Sequence, residues 1–189
     1  MEILRSKGNA LLFLLNRTSP ESRGGGQVNV LEIVKRETEA GLLMGRTVAD
    51  DFFSGLSSET RSAFQSLATL SHCSCDTVLF TGGQPLNSVL FLLEGRTKLW
   101  LDCSGGRRIA LGVFGSGEIL GLASVVSGCA NGITAEAESQ CFIASVRREA
   151  FLDFLECNPV ACRNVARLLN QEYYRCYDRI RSYSFSFPD

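Results

Sequence analysis

Apolar residues first recur with a helical period in the stretch SSETRSAFQSLATL. Phe64, Leu67 and Leu70 are three residues apart, which places them on one face of a helix. Ser57 and Ser58 stand directly before this run, and serine is a residue type that caps helix N-termini. The pattern predicts an amphipathic helix that begins at Ser58 and ends near Leu70.

Further along the chain the segments become short and β-like. Six of them are separated by turns such as Gly-Gly, Ser-Gly-Gly and Gly-Ser-Gly: TVLFTGG, SVLFLLEG, RTKLWLDCSGG, RRIALGVFGSGE, GITAEAES and CFIASVRREAF. In TKLWLD the alternation is strict, so that Lys98 and Trp100 face one side and Leu99 and Leu101 face the other. Many short strands at this spacing are typical of a sandwich, a jelly roll or a barrel.

After Val146 the helical period returns. RREAFLDFLECNP predicts a short helix that ends near Pro159, and residues 159–185 predict a long helix with Pro159 in its first turn. One stripe of this long helix carries large side chains at three- and four-residue steps: Val165, Leu168, Leu169, Glu172, Tyr173, Cys176, Ile180 and Tyr183.

The stripe contains a continuous seam with regular steps, formed by Val165, Leu169, Tyr173, Cys176 and Ile180. Such steps suit knobs-into-holes packing, and the stripe is longer than a small β domain can cover. We therefore expect the long helix to form a homodimer with a second copy. Glu172 lies close to the seam and would need a cation of the partner copy, such as its Arg175 or Arg179, because a buried unpaired carboxylate is costly.

The first 48 residues carry weaker signals and are expected to be a flexible extension. Residues 19–27 form a break rich in Ser, Pro and Gly, and residues 28–43 have only a weak helical pattern. Residues 9–16 resemble a short signal peptide, but their apolar core is too short and no cleavage motif follows.

Composition narrows the class of protein. The chain has 189 residues, a formal net charge of -1 and no apolar run of the roughly 18 to 20 residues that span a bilayer. The net charge gives no excess of positive charge that would indicate a nucleic-acid-binding surface. No membrane partner is expected. The eight cysteines include no C-x-x-C pair, so we expect mostly reduced thiols and a cytoplasmic location.

The order of these elements resembles the cyclic-nucleotide-binding sensor domain of Crp/Fnr-type bacterial transcription regulators, the catabolite-activator and fumarate–nitrate-reductase class. The pieces that carry the resemblance are LFTGG at 79–83, FLLEGRTKL at 91–99, FGSGEILGL at 114–122 and TAEA at 134–137. It implies a mainly β fold with α elements: a double-stranded β-helix, or jelly roll, over residues 49–158. This β-roll would be flanked by an N-terminal helix and by the long dimerisation and relay helix, residues 159–185.

The resemblance also implies a phosphate-binding cassette over residues 118–134. Its candidate ligand-binding residues are Gly117, Glu118, Gly121, Leu122, Ala123, Ser124, Asn131, Gly132, Ile133 and Thr134. The family acid that takes the ribose hydroxyl falls on Gly121, and the family arginine that pairs with the phosphate falls on Asn131. Neither residue can replace the charge it stands for. We expect the backbone cradle to be present and the cyclic-AMP clamp to be absent.

Other chemistry has less support in the sequence. His72, Cys73 and Cys75 invite a metal site, but the chain has one histidine and a closed site needs four ligands, so no metal is predicted. No G-x-S-x-G elbow, P-loop or H-E-x-x-H occurs, and one histidine cannot build a cupin-type metal site, so no enzyme activity is expected.

Three functions remain open. The first is an effector-sensing regulatory domain that binds a cyclic nucleotide or another small anionic effector. The second is a degenerate dimerisation module without a ligand, and the third is a thiol or redox sensor. The resembling regulators read DNA through a helix-turn-helix, for which this sequence has no residues after the long helix, so DNA is expected as a partner only through such a missing segment.

Overall fold

The computed structural model describes residues 48–184, and the predictions made for residues 1–47 and for Phe185 lie outside them. The helices are α1 Val48–Phe52, α2 Ser58–Ser66, α3 Leu122–Ser127, α4 Arg148–Cys157 and α5 Pro159–Ser184. The strands are β1 Thr69–Cys73, β2 Val78–Phe80, β3 Ser88–Glu94, β4 Arg96–Asp102, β5 Arg108–Gly115, β6 Ile119–Leu120, β7 Ile133–Ala137 and β8 Cys141–Arg147.

The strands form two antiparallel four-stranded sheets, with the orders β1-β8-β3-β6 and β2-β7-β4-β5. An apolar cluster between the sheets includes the buried side chains of Leu99, Leu120 and Ala135. The predicted jelly roll between an N-terminal helix and a long C-terminal helix is confirmed. The predicted short helix before Pro159 and the long helix after it are confirmed as α4 and α5.

The N-terminal helix is shorter than the periodicity indicated. Ser57 caps α2 by accepting a hydrogen bond from the Thr60 amide at 3.1 Å, as predicted, but α2 ends at Ser66. Leu70 lies in β1 opposite Ala144 of β8, so its predicted position on the helix face is wrong. The strand pairing with β8 competes with the helical spacing and determines the conformation from Thr69 onwards.

The largest core cluster is aromatic and lies between the β-roll and the helices. Phe52 of α1 is fully buried, and its ring centroid lies 4.9 Å from that of Phe64, 5.6 Å from that of Phe91 and 5.9 Å from that of Phe151. These partners come from α2, β3 and α4. The cluster therefore fixes three helices against one sheet of the roll.

A buried asparagine joins the long helix to the start of the described chain. Asn164 of α5 is 2% exposed, and its side-chain amide donates to the carbonyl oxygen of Phe52 at 2.9 Å and to that of Ser54 at 2.7 Å. Both carbonyls lie at or just after the C-terminal end of α1, where helical hydrogen bonds are missing. Asn164 thus replaces those bonds and holds α1 on α5.

The N-terminal half of α5 is part of the protein's own core. Val165 and Leu168 are 3% and 2% exposed, and Leu169 is half-buried against the same cluster. Val165 and Leu169 are therefore occupied within the chain and are not available to a partner helix. The predicted seam is shortened to its C-terminal part, where Tyr173 and Cys176 are exposed. The side chain of Ile180 lies outside the described residues.

Replacement of Asn164 tests the connection between α1 and α5. Asn164→Ala leaves two carbonyls without their donor in a buried setting, and we expect a loss of about 2–3 kcal/mol in the free energy of unfolding, measured by urea denaturation. The matched control is Asn170→Ala on an exposed position of the same helix, which should change stability by less than about 0.5 kcal/mol. Equal effects of the two substitutions would contradict this role.

Candidate functional site: the cassette between β6 and β7

The cassette consists of the end of β6, the short helix α3 and the chain that returns into β7. Gly121 precedes α3 with a φ of 79°, a conformation that favours glycine. A Cβ at this position would lie 2.5 Å from Cδ1 of Leu86. Leu86 thus occupies the space that the Cβ of an acidic residue would need at this position. Gly121 here allows the turn and the close packing of Leu86.

Ser124 is a structural residue of the cassette. Its side chain is buried, and its hydroxyl donates to the carbonyl oxygen of Cys129 at 2.7 Å and accepts from the amide of Leu86 at 3.2 Å. Both hydrogen-bonding roles of the hydroxyl are thereby used within the chain. Ser124 therefore stabilises the cassette turn, and its hydroxyl is not left over for a ligand.

Asn131 is likewise committed to its own backbone surroundings. It is 9% exposed, and its side-chain amide donates to the carbonyl oxygen of Ile133 at 2.6 Å. Its backbone oxygen accepts from Gly83 at 2.7 Å, and its backbone amide donates to Gln84 at 2.9 Å. Asn131, onto which the family arginine falls, is therefore hydrogen-bonded to the loop between β2 and β3. It presents no charge to a phosphate.

The remaining candidate residues are divided between the two sides of the roll. Ile133 packs into the apolar cluster between the sheets, whereas Thr134 lies in the register position opposite Trp100. The Thr134 hydroxyl donates to a carboxylate oxygen of Asp102 and accepts from the amide of Gly82 at 2.9 Å. Thr134, a candidate ligand-binding residue, thus has its hydroxyl engaged in a polar group with Asp102, on the face of β7 opposite Ile133. Leu122 is buried, whereas Ala123 and Gly132 are exposed.

A cation does reach the cassette, at the opposite end of its helix. Nε of Arg148 donates to the carbonyl oxygen of Val125 at 2.9 Å, in the last turn of α3. Carbonyl groups at a helix C-terminus carry partial negative charge, so this contact stabilises α3 and connects it to the start of α4. Arg148 is therefore engaged away from the N-terminal end of α3, where an anion would be bound.

The start of the cassette is tied to the helices as well. The carbonyl oxygen of Gly117 accepts from the amide of Ala49 in α1 at 2.8 Å. Glu118 points to α5, where its Oε2 lies 3.6 Å from Nη1 of Arg175. Glu118 is thus paired with the long helix and does not extend into the cassette turn. This is the contact by which the β-roll reaches the C-terminal half of α5.

A second carboxylate on α5 belongs to this contact. Burial raises the pKa of Glu172, and the nearby Glu118 raises it further, while Arg175 opposes the shift. The charge of Arg175 in the same chain favours ionised Glu172 but does not offset the cost of its burial, so the pKa stays raised. Glu118, Glu172 and Arg175 together make a charged cluster between the cassette and the long helix.

Sequence reasoning missed Leu86, Arg148 and the pairing of Arg175 with Glu118. Arg148 follows a strand without any motif that would single it out. The spacing between Glu118 and Arg175 carries no local signal, because only the fold brings them together. The sequence alone could not have identified these contacts.

The metal interpretation of His72 has no support in the described part of the chain. The imidazole stacks on the ring of Phe142 with centroids 4.4 Å apart. Among residues 48–184, no three His, Cys, Asp or Glu side chains come together in a group that could hold a metal ion. Within the same range, no helix is both long and apolar enough to cross a membrane.

Comparison with known proteins identifies the class to which this fold belongs. Residues 71–158 match the family model of the cyclic nucleotide-binding domain. The fold is therefore that of a cyclic nucleotide-binding β-roll followed by a long helix. No curated protein sequence matches the chain significantly.

Solved structures resemble the chain in fold at low sequence identity. The catabolite activator protein of Thermus thermophilus shares 21% identity with a TM-score of 0.64, over 71% of this chain and 63% of that protein, so the chain spans less than two thirds of its length. A cyclic nucleotide-binding domain from Methylobacillus flagellatus shares 20% identity with a TM-score of 0.64, over 75% of this chain and 84% of that one. The sensor domain of the transcriptional regulator DNR from Pseudomonas aeruginosa shares 19% identity with a TM-score of 0.58, over 75% and 93%.

The raised pKa of Glu172 predicts a particular pH dependence of stability. The folded chain binds this proton more tightly than the unfolded chain, so the contribution of Glu172 to stability falls as the pH rises above 4.5, the ordinary value. Glu172→Gln should therefore melt at a higher temperature than the wild type at pH 7. The difference should vanish below pH 4.5, where the wild-type carboxyl is neutral in both states. Thermal melts across this range test it, and a difference that is the same at both ends would contradict it.

Proposed function

We propose that the chain is the effector-sensing regulatory domain of a Crp/Fnr-type protein. In this proposal the cassette responds to a small ligand, and the long helix carries the response to a second copy. The observation that carries the proposal is the attachment of the cassette to the helices at both ends. Gly117 and Glu118 contact α1 and α5, and Val125 contacts Arg148 at the start of α4. A shift of α3 would alter these contacts.

The chemistry of the cassette limits which effector it would take. In the described residues, Gly121 and Asn131 supply neither the acid nor the base of the cyclic-AMP clamp, and Glu118 is engaged with Arg175. The interior beside the cassette is lined by apolar side chains, including Leu99, Leu120 and Ile133. An effector would therefore be held by backbone groups and apolar contact, without an ion pair to a phosphate.

Cyclic AMP is expected to bind weakly or not at all. Loss of a buried charge-assisted pair costs on the order of 2–5 kcal/mol, which is more than tenfold in Kd. Calorimetric titration of the folded chain should show no binding in the micromolar range. Micromolar binding of cyclic AMP would contradict this expectation.

A ligand-independent dimerisation module is the second candidate. It is favoured by the internal hydrogen bonds that occupy the side chains of Ser124 and Asn131. Thermal melts of the chain against a panel of nucleotides and small carboxylate or phosphate anions separate the two candidates. A ligand that raises Tm in proportion to the logarithm of its concentration supports the sensor, and a panel without effect supports the second candidate.

The dimer is proposed to use the exposed C-terminal half of α5. Tyr173, Tyr174 and Tyr177 are 55%, 61% and 46% exposed, and the Tyr173 and Tyr177 hydroxyls lie 2.6 Å apart. Cys176 is exposed beside them. A row of large aromatic side chains on a helix that projects past its own core is the kind of surface that associates.

Charge introduced into this row should prevent association. Tyr173→Glu with Cys176→Glu is expected to convert a wild-type dimer into a folded monomer, because two carboxylates per helix would be buried without partners. Sedimentation equilibrium measures the change, and circular dichroism checks the fold. The matched control is Gln171→Glu, two residues before Tyr173 and on the opposite side of the helix. A wild-type chain that is monomeric at high micromolar concentration would contradict the dimer.

A further inference from the structure

Two cysteines face each other at the end of the β-roll that lies away from the cassette. In the antiparallel pairing of β1 with β8, Cys73 is directly opposite Cys141. Directly opposed residues project from the same face of a sheet, with Cα atoms about 4.5–5.5 Å apart. This separation falls inside the range of about 4.4–6.8 Å that a disulfide requires.

The Cys73 thiol is also in contact with Cys141. Sγ of Cys73 lies 3.9 Å from the carbonyl oxygen of Cys141. Burial raises the pKa of the Cys73 thiol, and the charge and hydrogen bonding of the Cys141 thiol raise it further. Cys141 is 2% exposed and Cys73 is half-buried, so Cys73 is the member of the pair that solvent reaches.

The pair is separate from the cassette. β7 leaves the cassette at Ile133 and extends to Ala137, four residues further on, which is about 13 Å of extended chain. Ala137 lies in the same apolar cluster as Cys141 and Cys73. Sγ of Cys141 donates to the carbonyl oxygen of Arg96 at 3.3 Å. The thiols therefore lie where the turns after β3 and β7 meet.

We propose that Cys73 and Cys141 form a reversible disulfide, which makes this end of the β-roll an oxidation site for small-molecule disulfides. The inference goes beyond the proposed effector response and does not depend on it. Cys75 is the nearby alternative, but it lies beyond the end of β1, and its thiol donates to the carbonyl oxygen of Glu138 at 3.2 Å.

The reaction is two thiol–disulfide exchanges with a disulfide such as oxidised glutathione. Cys73 loses its proton to solvent, and its sulfur attacks one sulfur of the small disulfide; a bond to that sulfur forms, the S–S bond breaks, and one small thiolate leaves and takes up a proton. Cys141 then loses its proton and attacks Sγ of Cys73, and the second small thiol leaves. In total, two protein thiols are oxidised and one small disulfide is reduced to two thiols.

The cross-link should make the fold more stable. It would join β1, an edge strand of its sheet, covalently to β8 and would close a long loop of the chain, which restricts the unfolded state. We expect Tm to rise by on the order of 10 °C on oxidation and to return on addition of dithiothreitol.

Peptide mapping identifies the pair. Trypsin leaves Cys73 and Cys75 on one peptide, residues 62–96, and Cys129 and Cys141 on another, residues 109–147. The full chain is treated with oxidised glutathione, alkylated and digested without reduction. We expect these two peptides to be linked in the wild type and in the controls Cys75→Ser and Cys129→Ser. The link should be lost in Cys73→Ser and in Cys141→Ala, each checked for folding by circular dichroism.

The peptide map distinguishes a link between Cys73 and Cys141 from every other oxidation product. A link that disappears with Cys73 and with Cys141, together with the reversible rise in Tm, supports the proposal. A link that needs Cys75 or Cys129, glutathione adducts without a cross-link, or disulfides only between chains would overturn it. Because the readout is covalent, it does not depend on whether any effector binds the cassette.

Discussion

The packing of Phe52 is the interaction on which the rest of the structure depends. Its ring contacts Phe64 and Phe91 and lies over Phe151, so one side chain of α1 touches α2, β3 and α4. Asn164 binds the carbonyl of the same residue and adds α5 to the group. Because α1 also donates to the start of the cassette through Ala49, the aromatic core determines where the cassette lies relative to the long helix.

Hydrogen bonds within the chain hold the cassette together without the charges of a cyclic-AMP clamp. Its turn depends on Gly121, and its two ends are held by Ser124 and Asn131 through hydrogen bonds that need no ligand. Arg148 brings positive charge to the C-terminal end of α3, where it offsets the partial negative charge of the helix carbonyls. It is too far from the N-terminal end of α3 to bind an anion there. The backbone of the cassette can therefore fold without the charged residues that would bind a ligand, because its buried polar groups form hydrogen bonds with each other.

The sequence was sufficient for the β-roll and the last two helices because glycine turns and hydrophobic periods are local signals. It failed at Leu70, where pairing with β8 outweighs the helical spacing. It also failed at Val165, whose stripe looked long enough for a partner but is covered in its first part by the chain's own core. For the site, the missing clamp charges at Gly121 and Asn131 could be predicted, whereas the hydrogen bonds of Thr134 and the pairing of Glu118 with Arg175 depend on contacts between distant segments.

In the proposed function the cassette and the long helix respond to each other. Coupling between two sites is reciprocal, so a change at the output should be visible at the input. Hydrogen–deuterium exchange tests this by comparing the wild-type chain, for which a dimer is proposed, with the Tyr173→Glu, Cys176→Glu variant. We expect altered exchange in residues 117–128 of the cassette, with unchanged exchange in the distant turn at residues 103–107. Identical exchange of the cassette in dimer and monomer would contradict it.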